Sequence, residues 1–291
     1  MRVAVIDIGT NSTRLLIADV ENQSGVRALH TALVTTRLGE GIGQARLLSP
    51  AIDRTLAAVE DYLTIISRWQ VERIIAVATS AVRDAVNRED FLTVAHRRTG
   101  LQVKILSGEE EAGYSYRGVL SGLAVNRRRT VVMDLGGGST EFTWLRGGRI
   151  CCRSVGVGAV RVTEGSFSDD WILSLLSCVL DEVREVSPMI LIGVGGTVTT
   201  IAAMAMSLKV YDPVMIHGFT LTAGQVEDVL ALLMTTPLEE RRRLPGLQPE
   251  RADIIVAGVR IVQLVMQNLG LTDLKVSEAD IMYGLTLQEA Q

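Results

Sequence analysis

The sequence has few aromatic side chains, few lysines and few cysteines. Phenylalanine, tryptophan and tyrosine together make up 4% of the 291 residues, lysine occurs three times, and the net charge is −4. A platform that stacks nucleic-acid bases needs exposed rings in a basic groove, so we expect no nucleic-acid partner. The three cysteines show no CxxC spacing and are too few for a zinc site, which favours a reducing, cytoplasmic location.

Long hydrophobic runs are equally scarce. One uncharged stretch, 186–208, is long enough to span a bilayer, but it contains Pro188 and the turn-forming glycines of 193–196. Its pattern instead predicts a buried strand, a glycine turn and a helix. We therefore expect no membrane-spanning segment and no membrane partner.

The composition that remains is typical of a globular α/β protein. Hydrophobic residues make up 47% and charged residues 21% of the chain, which is enough for a substantial core. Strand-like and helix-like periodicity alternates along the first hundred residues. The apolar spacing predicts a helix from Ser49 to about Gln70, and Gly100 is expected to end a helix that begins at Arg88. The polar stretch 126–129 predicts a domain boundary.

The second half of the chain begins as the first half does. Residues 6–13 (IDIGTNST) align with residues 133–140 (MDLGGGST), and Asp, Gly, Ser and Thr coincide at a spacing of 127 positions. In each copy a strand-like run leads into the motif and another leaves it. Two duplicated domains are therefore predicted, with the first covering 1–126.

Both copies have the composition of a phosphate-binding turn. Glycine lets the backbone approach a phosphate closely, and backbone N–H groups and hydroxyls can donate hydrogen bonds to its oxygens. The candidate phosphate-binding residues are Gly9, Thr10, Asn11 and Ser12 in the first copy and Gly136, Gly137, Gly138, Ser139 and Thr140 in the second. Asp7 and Asp134 end the preceding strands, where each carboxylate is expected to hold a Mg²⁺ ion.

Two further elements are candidates for the same ligand. Gly195, Gly196 and Thr197 lie between an apolar run and a helix, where backbone amides and the helix dipole attract an anion. Arg14 and Arg83 lie in or beside small-residue loops, and a guanidinium can bind phosphate oxygens bidentately. A plain tight turn stays open as the alternative for the glycine element, and a surface role stays open for either arginine.

Glutamates accompany these candidate phosphate-binding elements. Glu141 directly follows the second copy of the motif, which suggests a general base or a metal ligand. Glu109, Glu110 and Glu111 open a helix, where acidic side chains are favourable through the helix dipole alone. If one of them lies beside Glu141 instead, the pair could orient and deprotonate a water for in-line attack on phosphorus. Both interpretations stay open.

Segments along almost the whole chain are similar to the signature motifs of one enzyme family. They are 7–16 (DIGTNSTRLL), 78–87 (ATSAVRDAVN), 107–112 (SGEEEA), 134–141 (DLGGGSTE), 158–164 (GAVRVTE), 195–197 (GGT), 217–218 (HG) and 251–253 (RAD). Together they resemble the exopolyphosphatase/guanosine pentaphosphate phosphohydrolase family. The resemblance implies an α/β fold with two duplicated ribonuclease-H-like domains and an interdomain cleft, as in actin, sugar kinases and heat-shock chaperones. It places the domains at 1–126 and 127–279, with a helix over 280–291 that packs back on the first domain.

The same resemblance implies a Mg²⁺-dependent exopolyphosphatase that releases terminal orthophosphate from inorganic polyphosphate. Another divalent ion, or K⁺ in addition, stays open as a cofactor. By motif position the water-activating glutamate is Glu111 and its partner is Glu141, with Glu110 as the fallback. The phosphate-binding roles fall on the two duplicated turns, the two arginines and the third glycine element.

Three other functions compete with this expectation. A phosphohydrolase of guanosine pentaphosphate (pppGpp) would present a similar terminal phosphate to the same residues, a non-catalytic sensor would bind guanosine penta- or tetraphosphate without turnover, and a kinase is the weakest alternative. The chain ends near residue 291, without the additional helical domains with which longer members bind long chains and dimerise. Short chains are therefore the expected substrates, and a homodimer stays open. The ending 276–284 lacks a basic residue that is common there, which predicts reduced activity if that residue contacts phosphate.

Overall fold

The computed structural model describes residues 1–21 and 25–288, and these residues form two compact units. Unit 1 comprises residues 1–121 together with residues 281–288, and unit 2 comprises Gly122–Asp280. The last three residues of the helix predicted over 280–291 lie outside the described residues.

Each unit begins with three consecutive strands and continues with helices and further strands. The strands are β1 (Arg2–Ile8), β2 (Thr13–Glu21), β3 (Gly25–Val34), β4 (Arg73–Ala78), β5 (Val103–Ile105), β6 (Thr130–Leu135), β7 (Thr140–Arg146), β8 (Arg149–Val155), β9 (Ile190–Val194), β10 (Thr220–Thr222) and β11 (Asp273–Val276). The α-helices are α1 (Ser49–Ile66), α2 (Ser80–Arg83), α3 (Arg88–Thr99), α4 (Gly108–Gly122), α5 (Ala159–Gly165), α6 (Asp169–Arg184), α7 (Gly196–Ala205), α8 (Pro213–Ile216), α9 (Ala223–Thr235), α10 (Leu238–Arg241), α11 (Ile255–Leu269) and α12 (Ile281–Gln288).

Unit 1 is built on a mixed sheet with the strand order β3-β2-β1-β4-β5. The first three strands run antiparallel through short connections, whereas β4 and β5 run parallel to β1 after helical crossovers. Strand β1 is almost continuously apolar because both of its faces are buried. Ala4 and Ile6 join the core beneath α1 and α3, and Val3 and Val5 join a second core beneath α12.

The C-terminal helix α12 packs on β1, β2 and β3 of unit 1. It buries Ile281, Met282 and Leu285, each contributing roughly 1.5–3 kcal/mol relative to an exposed side chain. Gly284 permits a close approach to α4, since a Cβ atom there would lie 1.9 Å from the carbonyl oxygen of Tyr114.

Unit 2 repeats this plan on a sheet with the strand order β10-β11-β9-β6-β7-β8. Strands β8, β7, β6, β9 and β11 have the same order and the same relative directions as β3, β2, β1, β4 and β5. Phe142 and Trp144 of β7 enter the core, and α11 packs against α5, α6, α7 and α9. The predicted α/β duplication is therefore confirmed.

Local elements agree with most of the sequence predictions. Stretch 186–208 forms strand β9, a glycine turn and helix α7, and no helix in the described part of the chain is long and apolar enough to cross a membrane. Helix α3 ends at Gly100, which has a φ of 72°. The prediction that α1 reaches Gln70 is wrong, because the helix ends at Ile66 in a tight turn and Gln70 has a left-handed φ of 50°.

Candidate functional site

The first duplicated motif forms a tight turn between β1 and β2, which we call turn 1 (residues 9–12). The Gly9 N–H donates to the Ser12 carbonyl oxygen at 3.0 Å, and a Cβ atom on Gly9 would lie 2.9 Å from that oxygen. Thr10, Asn11 and Ser12 are all buried. The loop after β3 holds the turn in place, since the Gly39 N–H donates to the Thr10 carbonyl oxygen at 2.8 Å.

The second motif repeats this geometry between β6 and β7, in turn 2 (residues 136–139). The Gly136 N–H donates to the Ser139 carbonyl oxygen, again at 3.0 Å. The start of α5 packs over the turn, where the Val160 N–H donates to the Gly137 carbonyl oxygen at 2.8 Å. A Cβ atom on Gly158 would lie 2.5 Å from that same oxygen, so this position requires glycine.

Gly39 and Gly158 were not among the candidate site residues taken from the sequence. Gly158 was noted only as part of the motif 158–164, and Gly39 was not singled out. The sequence signal for each is a glycine shortly after the third strand of its unit, but the need for glycine arises only from the packing of that segment on its turn.

Asp7 and Arg14 are directly opposite each other on β1 and β2. Both Nε and Nη2 of Arg14 donate to Oδ2 of Asp7, at 2.9 and 2.6 Å, and Asp7 is only 4% exposed. The structure therefore brings a predicted phosphate-binding arginine and a predicted metal-binding aspartate together as an ion pair.

The equivalent positions in unit 2 are both acidic. Asp134 on β6 is opposite Glu141 on β7, and Glu141 is in turn opposite Ser154 on β8. The Ser154 hydroxyl donates to Oε1 of Glu141 at 2.6 Å, and Glu141 is 1% exposed. Glu141 therefore lies where a general base or a metal-binding carboxylate could act beside turn 2.

The third glycine element packs directly against the end of β6. Gly195 has a φ of 94°, and a Cβ atom there would lie 2.5 Å from the Leu135 carbonyl oxygen and 3.2 Å from Oδ1 of Asp134. The guanidinium of Arg251 lies over Gly196 at the start of α7, where a Cβ atom would be 2.1 Å from Nη1. Neither position can carry a side chain without movement of these groups.

Two other residues complete this region of unit 2. Thr197 is buried and packs against Gly258 of α11, where a Cβ atom would lie 2.5 Å from the Thr197 methyl group. Arg251 is 9% exposed and also donates to Gln248 at 2.9 Å. Its positive charge beside the first turn of α7 favours an anion at that place. The sequence showed Arg251 only as part of the motif 251–253.

Arg83 and Glu111, two of the predicted site residues, are in contact in unit 1. Nη1 of Arg83 donates to Oε2 of Glu111 at 2.8 Å and to the carbonyl oxygen of Leu106 at 3.0 Å. Both side chains are largely buried. Arg83 thus connects the first turn of α4 with the residue that follows β5, and it orients the carboxylate of Glu111.

Glu110 is engaged in capping α4. Its Oε2 accepts a hydrogen bond from the Ser107 N–H at 2.9 Å, while its own N–H donates to the Ser107 hydroxyl at 3.1 Å. This reciprocal pair is a capping box. A hydrogen bond from Lys104 and, next in size, the bond from the Ser107 N–H lower the pKa of Glu110 below its ordinary value. The structure therefore separates Glu110, which caps the helix, from Glu111, which contacts Arg83.

The two candidate metal-binding aspartates are not equivalent. Mg²⁺ favours one or two carboxylates and completes its shell with water and substrate phosphates. Asp134 fits this requirement, since it is partly exposed and lies beside Gly195 and turn 2. Asp7 instead directs Oδ2 to Arg14. Within 1–21 and 25–288, no cluster of three or more His, Cys, Asp or Glu residues could hold a metal by itself.

Comparisons with known proteins identify the family of this chain. The Ppx/GppA phosphatase family matches residues 16–291. Exopolyphosphatase 2 of Mycobacterium tuberculosis is 35% identical over 314 residues, covering 99% of this chain and 98% of that protein. The crystallographically studied PPX-GPPA enzyme of Aquifex aeolicus is 32% identical, with a TM-score of 0.80 and 99% of both chains covered. The chain therefore belongs to the Ppx/GppA phosphatase family, which confirms the resemblance.

A further relative has a longer chain. The bifunctional 3-dehydroquinate synthase/phosphatase of Fusobacterium nucleatum is 33% identical over 309 residues. The match covers 98% of this chain but 46% of that protein, so the similarity concerns about half of the bifunctional chain.

Proposed function

We propose that the protein is a phosphoanhydride hydrolase that releases terminal orthophosphate from inorganic polyphosphate, with short chains preferred. The observation that carries this proposal is the arrangement at turn 2, where a glycine turn is followed by a buried glutamate directly opposite Asp134. Similarity to proteins named exopolyphosphatase supports the choice of substrate.

Substrate binding in this proposal uses donors rather than carboxylates. A polyphosphate chain carries negative charge on every phosphoryl group, so backbone N–H groups and guanidinium groups bind it favourably. Turns 1 and 2 provide glycine-lined backbone, and the turn at Gly195 lies next to the buried Arg251 guanidinium. These are the elements that we assign to phosphate binding.

Water activation is assigned to Glu111, with Glu141 as its partner. A carboxylate can orient a water and accept its proton while the oxygen attacks the terminal phosphorus in line with the leaving phosphate. The contact with Arg83 restricts the orientation of Glu111. Mg²⁺, when bound, would neutralise charge on the transferred phosphoryl group, and Asp134 is the residue that would hold it.

The test is phosphate release in the presence of Mg²⁺ from tripolyphosphate, long-chain polyphosphate and guanosine pentaphosphate. Glu111→Gln and Glu141→Gln keep the side-chain volume but remove the base, so we expect kcat on tripolyphosphate to fall by roughly 10²–10⁴-fold. Glu239→Gln, on the exposed surface of α10, is the matched control and should leave kcat unchanged.

The outcomes separate the competing functions. Phosphate release from polyphosphate that depends on the two glutamates supports the proposal. A kcat/KM that is higher on guanosine pentaphosphate than on polyphosphate would instead identify the protein as a guanosine pentaphosphate phosphohydrolase. Tight binding of guanosine tetra- or pentaphosphate without any release would indicate a sensor. Equal release by wild type and by both glutamine variants would show that these glutamates do not catalyse the reaction.

A further inference from the structure

Ser154 has a contact that the proposed function does not assign. It lies on β8 directly opposite Glu141 on β7, and its hydroxyl donates to Oε1 of Glu141 at 2.6 Å. Ser154 is exposed, whereas Glu141 is almost completely buried. One small polar side chain at the surface therefore contacts the carboxylate that the proposed function makes essential.

The length and chemistry of this bond make it significant. An O–H group that donates to an ionised carboxylate forms a short bond, and such bonds are stronger than those between neutral groups. Glutamate has three side-chain torsions, and its terminal torsion is broadly distributed when nothing restrains it. A hydrogen bond to one carboxylate oxygen restricts that torsion and satisfies a buried polar atom.

The duplicated position in unit 1 provides an internal comparison. The residue equivalent to Glu141 is Arg14, and the residue opposite Arg14 on β3 is Leu33, which is exposed. The shared strand arrangement therefore does not itself require a hydroxyl at this place. The serine occurs only in unit 2, where the residue opposite it is the glutamate. Its presence therefore correlates with Glu141 and not with the shared strand arrangement.

We propose that Ser154 is a positioning residue for hydrolysis, and that its hydroxyl holds the Glu141 carboxylate in its active orientation. The proposal rests on the role of Glu141 in the proposed function. Ser154 itself has no contact with the reacting atoms in this assignment. Its loss should therefore change the rate of the chemical step and leave substrate binding almost unchanged.

The experiment compares Ser154→Ala, Ser154→Thr, Glu141→Gln and the double variant Ser154→Ala/Glu141→Gln on tripolyphosphate with Mg²⁺. Loss of a group that orients a functional ligand typically costs about 10–100-fold in activity, so we expect that fall in kcat for Ser154→Ala, with KM nearly unchanged. Ser154→Thr retains the hydroxyl and should recover most of the rate. In the Glu141→Gln background, Ser154→Ala should have no further effect.

Cys152→Ala is the matched control, because Cys152 lies two residues away on the same strand and opposite Thr143. It should leave kcat and KM unchanged. If Ser154→Ala retains the wild-type kcat while Glu141→Gln is strongly impaired, Ser154 has no positioning role. The proposed function would remain intact in that case. An equal loss from Ser154→Ala in both backgrounds would also overturn the positioning role, because the effect would then be independent of Glu141. Full activity of Glu141→Gln would instead refute the proposed role of Glu141, and with it this inference.

Discussion

The two β-hairpins of this protein share a backbone and differ in chemistry. Turn 1 and turn 2 are both closed by a 3.0 Å hydrogen bond from a glycine N–H to a serine carbonyl oxygen. Across the strands that follow, unit 1 pairs Asp7 with Arg14, and unit 2 pairs Asp134 with Glu141. The two copies therefore share the turn but differ in the side chain opposite the aspartate. This side chain is a neutralising cation, Arg14, in unit 1 and a second acid, Glu141, in unit 2.

This difference has an energetic side. An aspartate that is 4% exposed is costly unless a cation compensates it, and Arg14 does so with two hydrogen bonds. Two acidic residues directly opposite each other destabilise a sheet. The acidic pair of unit 2 therefore opposes stability, and departures of this kind are expected at functional sites. Unit 1 has an ion pair that stabilises its β-hairpin where unit 2 has two opposed carboxylates.

The largest effect is expected from making the second β-hairpin like the first. Glu141→Arg removes the carboxylate and provides a cation for Asp134, so we expect phosphate release from tripolyphosphate to fall by at least about 10³-fold. Steady-state kinetics measures this, and circular dichroism confirms that the variant is folded. Retention of more than a tenth of the wild-type kcat would contradict the assignment of chemistry to this β-hairpin.

The free energy of unfolding should respond differently when methionine replaces each of the two equivalent residues. Arg14→Met leaves Asp7 buried without its cation, and we expect a loss of about 3 kcal/mol, the lower end of the range for breaking a buried ion pair because Arg14 is partly exposed. Glu141→Met removes one of two opposed acids and should be neutral or stabilising. Urea unfolding of both variants checks the contrast, and equal losses would show that the two positions are electrostatically alike.

A smaller effect is expected in unit 1 at Arg83. Arg83→Met removes the guanidinium that orients Glu111, so kcat should fall about tenfold while the variant stays folded. The control is Arg97→Met, which changes an exposed arginine of α3. If the two variants release phosphate at the same rate, the Arg83–Glu111 contact has no part in hydrolysis.

The smallest effect concerns the capping glutamate. The folded-state pKa of Glu110 is lowered, chiefly by the hydrogen bond from Lys104. The Lys104–Glu110 pair therefore stabilises the protein at pH values above the ordinary carboxyl pKa of 4.5. This contribution is lost as the pH falls through the lowered pKa. We expect Lys104→Met to cost at most about 1 kcal/mol at pH 7, because both side chains are substantially exposed. Thermal unfolding should show the difference at pH 7, and the difference should shrink as the pH falls through the lowered pKa of Glu110. A difference that grows on acidification would contradict this assignment.

Several features of the site were predictable because they depend on local sequence. The repeat at a spacing of 127 positions predicted both turns, since each needs glycine at one place and a strand on either side. The apolar run before Gly195 and the helix after it were predicted for the same reason. Adjacent glutamates were not separable in this way, because Glu110 and Glu111 share a helix start and differ only in which neighbour each reaches.

What the sequence alone determined is the duplicated α/β plan, the two turns and the set of polar residues near them, because strand periodicity and glycine requirements are local. Only the tertiary structure decided how those residues are paired. Asp7 with Arg14, Arg83 with Glu111, and Glu141 with Ser154 are separated by 7 to 28 residues in the chain. These contacts arise from strand register and from helix packing, which set distances that no short segment of sequence specifies.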